Sequence, residues 1–153
     1  MLLYRLAKTA RATDLSGEGA KRAGGRWNYT GVPVVYTAEN GALAILEVLQ
    51  YADISDIHSF SMLTIDVPDT TDIQQILLTT LPTGWQHYPH LIETKELGQQ
   101  WIDQGKTLLL QVPSAVYHEE TNWLINPQHP DAKRIQLVSV KPFIFSDRLF
   151  KCL

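Results

Sequence analysis

Five of the nine glycines in this chain, Gly17, Gly19, Gly24, Gly25 and Gly31, fall between Asp14 and Pro33. So dense a run of residues with free backbones weakens both helix and strand, so this segment is read as an irregular loop around which the rest must be organised. Five runs rich in β-branched and aromatic residues, each bounded by Gly, Pro, Asp or Ser, are strand candidates: Leu2 to Leu6, Val34 to Thr37, Phe60 to Val67, Thr107 to Val112 and Ile135 to Phe145. Helices are predicted between them, at Glu39 to Tyr51, at Thr71 to Leu78 and at Pro89 to Gln104, the last closing before Gly105. Strands and helices mixed in this order, without a repeat or a linker of low complexity, predict one α+β domain over residues 1–153.

Composition narrows the function classes. The chain has 153 residues, enough for a single core, and 44% of them are hydrophobic against 19% charged, the balance of a globular protein. Cys152 is the only cysteine, so no intramolecular disulfide can form and the cytoplasm is the expected compartment. No apolar run approaches the ~20 residues of a membrane span, and no secretory leader opens the sequence. The net charge of −3 argues against direct nucleic-acid binding, which favours a broad basic surface. The charge is uneven, however. Residues 1–26 carry Arg5, Lys8, Arg11, Lys21, Arg22 and Arg26 against Asp14 and Glu18 alone. Such an asymmetry suits either a site for a small anion or a solvated basic edge.

Individual polar residues can be read in two ways. Arg26 follows Gly24 and Gly25, where an accessible backbone would present a planar guanidinium to phosphate oxygens, and the glycine amides beside it could cradle the same anion. Arg5 ends the first strand and suits a salt bridge equally well. Glu47 is the only charge in ALAILEVL. If Ala42, Ile45, Leu46 and Leu49 form the core stripe of that helix, Glu47 lies on nearly the opposite, solvated side. Tyr36 alternates with Val35 and so faces the other side of its strand, either half-buried or free to stack on a ring. Ser114, after Pro113 at a strand end, is a turn former or a ligand contact, with no nucleophile elbow around it. Trp27 reads as an anchor beside the loop. The stretch NWLINPQHP, which includes Asn122, reads as structural, with Asn126 bonding local backbone and His129 capping a turn. His87, His90, His118 and His129 match no metal-ligand spacing, so no metal is expected.

Taken together, YRL near the start, GGRWNYTGVPVVYTAENGALAILEVL, VPSAVYHEETNWLINPQHPDAKRI and the closing FSDRLF resemble the RES family, named for its Arg, Glu and Ser. The resemblance runs over nearly the whole chain and is weakest between about Asp69 and Trp101. It implies a fold similar to ADP-ribosyltransferases, with NAD in a cleft between two small sheets and flanking helices. It also implies a toxin held by an Xre-type helix-turn-helix antitoxin, and it is compatible with a homodimer. NAD would be a substrate, and no cofactor is expected. Cleaving the nicotinamide–ribose bond passes through an oxocarbenium-like ribose, and nicotinamide leaves as a neutral molecule. On this resemblance Glu47 would stabilise the ribosyl cation, and Arg26, with Arg5, would grip phosphate or ribose. Tyr36 would stack on nicotinamide, and Ser114 would hold nicotinamide or ribose. The acceptor stays open between water or phosphate and a cellular protein, and a non-catalytic module that binds a helix-turn-helix partner is the third possibility.

Overall fold

The computed structural model of the chain describes residues 1–69 and 71–151, so Cys152 lies outside the described residues. Its elements, in chain order, are β1 (Leu2–Lys8), α1 (Glu18–Ala23), β2 (Val35–Ala38), α2 (Gly41–Leu49), β3 (Phe60–Asp66), β4 (Ile73–Gln75), α3 (Ile92–Gln104), β5 (Leu109–Pro113), β6 (Thr121–Ile125) and β7 (Gln136–Phe143), with short 3-10 turns between them. The strands form a seven-stranded sheet in the order β4-β5-β6-β2-β1-β3-β7. All neighbours are antiparallel except β4 and β5. The domain is α+β as expected, but in place of two separate small sheets there is one seven-stranded sheet with two halves. β1 and β3 register from Leu2↔Asp66 to Lys8↔Phe60, whereas β1 meets β2 through Tyr4↔Ala38 alone. The halves β4-β5-β6-β2 and β1-β3-β7 are therefore joined at one narrow seam.

Alternation along the strands sorts the core onto two faces. Leu3, Val35, Leu63, Ile65, Leu109 and Ile125 form one cluster, against which Ala12, Leu15, Ala132 and Ile135 pack from the loops. Residues of opposite parity face the helices. Leu110, Val112 and Leu124 pack with Trp27, Trp85 and Trp101, and Leu6, Ala38 and Phe60 pack with Leu43, Ala44 and Val48 of α2.

Two sequence expectations change. Thr71 to Leu78 is no helix: Ile73–Gln75 is strand β4, parallel to β5, and Ile76 N extends the ladder by donating to Gln111 O at 2.9 Å. Pairing with a strand more than thirty residues away decides this segment, and local propensity is only a weak prior against such tertiary contacts. The glycine-rich loop is likewise not wholly irregular. It holds α1, closed by Gly24 in the left-handed region (φ 71) and braced by Glu18 with Arg22 at 3.0 Å and with Lys21 at 3.6 Å. Strand β6 arises from the NWLIN stretch that reads as a structural turn.

Helix α3 presses on the first of these tryptophans through a glycine. A Cβ on Gly98 would stand 1.7 Å from Trp27 O, so only a residue without a side chain lets the helix approach. Gly98→Ala should therefore destabilise the domain by about 2–3 kcal/mol, as overpacking of a tight contact does. Thermal melting should register this as a loss on the order of 5–10 °C. An unchanged Tm would mean that the helix can slide off Trp27 freely.

Candidate functional site

Helix α2 begins where Asn40 caps it, its Oδ1 accepting from Leu43 N at 2.8 Å. The helix buries Leu43, Ala44 and Val48, while Ala42 and Leu46 are exposed, so the stripe that packs is not the one the apolar spacing suggests. Glu47 follows Leu43 by four residues and Ala44 by three, and so borders the buried face instead of opposing it. The expectation of a solvated Glu47 is thereby corrected.

There its carboxylate meets the ends of β5 and β6. Ser114 Oγ donates to Glu47 Oε1 at 2.7 Å, and Asn122 Nδ2 donates to the same oxygen at 2.5 Å. Gln50, on the exposed side, donates to Oε2 at 3.1 Å. Ser114 is fully buried, and its Oγ also accepts from Val116 N and Tyr117 N, both at 3.1 Å. A hydroxyl has one proton and two lone pairs, and here the two amides occupy the lone pairs, so the proton is directed at Glu47. Ser114 is thus the turn former that its place at a strand end suggests, and the same hydroxyl meets Glu47. Asn122 is the functional residue that the sequence reading set aside. Its signal was present in its pairing parity: it lies opposite Ala38 on the helix-covered face, but β6 had to be recognised as a strand to see it.

Arg26 approaches from the glycine-rich loop. Its Nη1 donates to the carbonyls of Trp85 and His87, and its Nη2 donates to Gln86 O at 3.1 Å. The guanidinium also lies 5.7 Å from the centre of the Trp85 ring. Burial pushes its pKa down, while Glu47 and Tyr36, whose fields it feels, act in the opposite sense. Arg26 and Glu47 thus share one electrostatic neighbourhood, and no direct salt bridge joins them among the described residues. Trp85 is the second residue missed from sequence. It lies 6.1 Å from the ring of Trp27 and 5.4 Å from that of His118, and it holds Arg26 through both its carbonyl and its ring.

Tyr36 faces the helices as the alternation predicts, but its hydroxyl is committed. It donates to Asn28 Oδ1 at 2.8 Å and accepts from Trp27 N at 3.1 Å, and burial pushes its pKa well above the ordinary phenol value. Asn28, itself fully buried, donates to the carbonyls of Ala20, Tyr29 and Val32. A Cβ on Gly25 would stand 2.7 Å from the Tyr36 hydroxyl, so a glycine is needed at this point. The amides of Gly24, Gly25 and Gly31 donate within the loop, to Ala20, Asn28 and Lys21 respectively. They do not form the anion cradle that the glycine content suggests, and what the loop presents is the side chain of Arg26.

Arg5 is not drawn into this hydrogen-bonded group. Its Nη1 donates to Asp14 O at 2.8 Å, and burial pushes its pKa down. Tyr51 lies in the fields of both Arg5 and Glu47, an electrostatic link between Arg5 and the site. Beyond β6, the end of the NWLINPQHP stretch behaves as read: Asn126 Oδ1 accepts from Gln128 N, and His129 Nδ1 accepts from Asp131 N. Among the described residues no cluster of His, Cys, Asp and Glu could hold a metal ion, and no helix is long and apolar enough to cross a membrane. Two hollows of about 370 and 340 Å³ lie elsewhere, beside Leu15 and Ile135 and beside Pro82 and Glu93. Neither brings an arginine, a glutamate and a serine together.

The class is thus an α+β domain in which a split seven-stranded sheet gathers Glu47, Ser114 and Asn122 within the field of Arg26. A chain in the crystal structure of the M. tuberculosis MbcT–MbcA toxin–antitoxin complex has this fold, with a TM-score of 0.78 over 94% of this chain and 84% of that one, at 21% identity. Sequence decides the family. The RES domain model matches residues 2–146, and the chain belongs to the RES domain family. It is 41% identical over 154 residues to "Toxin Res" of Pseudomonas putida, covering 98% of this chain and 100% of that one. It is 40% identical over 148 residues to "Prs ADP-ribosylating toxin" of Sphingobium sp. (strain YBL2), covering 95% and 92%.

Removing the Tyr36 hydroxyl tests whether it acts as a brace. Tyr36→Phe leaves Asn28 Oδ1 and Trp27 N without their partner, which should cost roughly 1–3 kcal/mol in urea unfolding. Stability equal to that of the wild type would leave the ring, not the hydroxyl, as the reason for a tyrosine here.

Proposed function

We propose that this RES domain is the enzymatic toxin of a toxin–antitoxin pair and that it consumes NAD by cleaving the bond between nicotinamide and ribose. The observation that carries this reading is the Glu47 carboxylate, whose Oε1 is fixed by Ser114 and Asn122 while Oε2, among the described residues, is held by an exposed glutamine alone. A flexible side chain such as Gln50 yields easily, so Oε2 is the oxygen available to a ribose hydroxyl. A carboxylate anchored on one side and offered on the other is suited to stabilise positive charge developing at the anomeric carbon. Bond cleavage sends the electron pair to the nicotinamide ring nitrogen, which leaves neutral. The ribosyl cation is then taken by an acceptor, which gives up its proton. Arg26 supplies the cation for the pyrophosphate. Three backbone carbonyls stabilise it without neutralising it, and its Nε–H and second Nη2–H have no partner among the described residues.

Water or phosphate as acceptor is the leading form of the reaction. Transfer of ADP-ribose to a protein is the second, and the relative named "Prs ADP-ribosylating toxin" favours it. A partner that restrains the activity is in keeping with the toxin–antitoxin complex formed by the structural neighbour. The expected partner is an Xre-type helix-turn-helix antitoxin.

Purified protein incubated with NAD, with and without phosphate and with a cell extract as protein acceptor, should release nicotinamide, and mass spectrometry of the co-product identifies the acceptor. Failure to release nicotinamide in all three mixtures would sink the reading. Glu47→Gln keeps the shape but removes the charge, and turnover should fall by about 10²-fold or more with NAD still bound. Near-normal turnover would remove Glu47 from the chemistry. Arg26→Ala should weaken NAD binding, with Arg26→Lys restoring it only partly because a point charge lacks the planar fork. Unchanged affinity in Arg26→Ala would move the anion site towards Arg5.

A further inference from the structure

Glu47 sits on α2, while Ser114 and Asn122 sit on the hairpin that joins β5 to β6, so something must hold the hairpin and the helix in register. The hairpin closes on itself through Ser114 N donating to Glu120 O at 2.9 Å and Glu120 N donating to Tyr117 O at 3.0 Å. It is then tied to the start of α2 by three bonds. Thr121 N donates to Glu39 Oε1 at 3.0 Å, and Glu39 N donates to Thr121 O at 3.2 Å. Asn40 Nδ2 donates to Glu120 Oε2 at 2.8 Å, while the other end of the same amide caps α2. From this geometry we propose that Glu120 is a positioning residue: through Asn40 and together with Glu39, it clamps the hairpin carrying Ser114 and Asn122 against the helix carrying Glu47. This rests on the proposed function only for its effect on turnover.

The clamp is asymmetric in its chemistry. Glu120 lies beside Glu39, both half-buried, and a carboxylate so close to another favours its own protonated form. Burial, and then Glu120, push Glu39 above the ordinary carboxylate value, while the Thr121 amide acts against them. Among the described residues, the other titratable groups linked to this corner are Tyr117, which lies in the field of Glu120, and Glu119, which accepts from the Tyr117 hydroxyl at 3.1 Å. A group whose folded pKa is raised stabilises the folded state fully below the ordinary carboxylate range, and that stability is lost as pH rises through the raised value. The clamp therefore tightens with one proton and loosens when the second charge appears. Glu120→Gln removes the charge that Glu39 meets and leaves an amide, which can still accept from Asn40.

The test follows the side-chain amide of Asn122 by NMR through a pH titration, beside the pH profile of nicotinamide release. In the wild type the Asn122 signals should shift in step with the titration of Glu39, and kcat should fall across the same step with KM for NAD changed less than about twofold. In Glu120→Gln both responses should flatten and turnover should hold at higher pH. Asn40→Ala, which cuts the link and leaves both carboxylates, should lower kcat several-fold throughout the range. Asn122 signals that ignore the Glu39 titration, or a Glu120→Gln profile that overlays the wild type, would overturn the clamp. A wild-type protein that leaves NAD intact would overturn only the NAD reading, because the amide signals decide the clamp without it.

Discussion

Glu47 Oε1 receives a hydroxyl from one end of a hairpin and an amide from the other, and much of the molecule is arranged so that these three groups meet. The helix, β5 and β6 are separate in sequence, and each brings its group by a different rule. Ser114 comes directly after the strand end at Pro113, with its own amide still bonded across the hairpin to Glu120 O. Asn122 comes by strand alternation from the face that also carries Ala38. Glu47 comes by helical spacing from the buried Leu43 and Ala44. A charge at a partly buried position is costly unless donors surround it, and here the donors are the reason the position is tolerated.

A second constraint acts through the GGRWN loop. Asn28, buried without exposure, uses its amide nitrogen on three loop carbonyls and its oxygen on the Tyr36 hydroxyl, so the loop is rigid although it is rich in glycine. Rigidity at Gly24 and Gly25 on one side and Trp27 on the other fixes the direction in which Arg26 leaves the backbone. The same closeness explains why Gly25 admits no side chain and why Gly98 of α3 must be bare where it meets Trp27. These are packing requirements, but they set the geometry of a charged group.

What the sequence could and could not reveal follows from the range of the interactions involved. β1, β3 and β5 carry apolar alternation or continuous apolar runs and were legible within one or two residues. Arg26, Glu47 and Ser114 were picked out by a resemblance, which spacing alone did not supply. For Glu47 the spacing pointed the other way, because an octet as apolar as ALAILEVL admits more than one stripe and only tertiary contact selects Leu43, Ala44 and Val48. β4 owes its state to a parallel partner on β5, and Trp85 owes its role to Arg26, 59 residues away. Neither partnership leaves a local trace. Asn122 was hidden for a simpler reason: Asn126, Pro127 and Pro130 downstream made a short strand look like the start of a turn.

The separation of Arg26 from Glu47 carries the remaining step. Had the two formed an ion pair, each charge would cancel the other, and the site would offer a ligand little more than dipoles. Instead the cation rests on three neutral carbonyls and the carboxylate on neutral donors, so both are stabilised in place while their charges remain uncompensated. A positive and a negative group held apart within reach of each other's field suit a molecule with anionic phosphates at one end and an incipient cation at the other, which is the charge distribution of the proposed substrate, NAD, as its nicotinamide departs. In the proposed reaction this stabilisation would be greatest when the ribose becomes positive and smaller before it does, which is the differential that favours a transition state over a ground state. That differential is what separates an enzyme from a module that only holds a nucleotide. On this physical ground the paired but unjoined charges favour catalysis over simple binding.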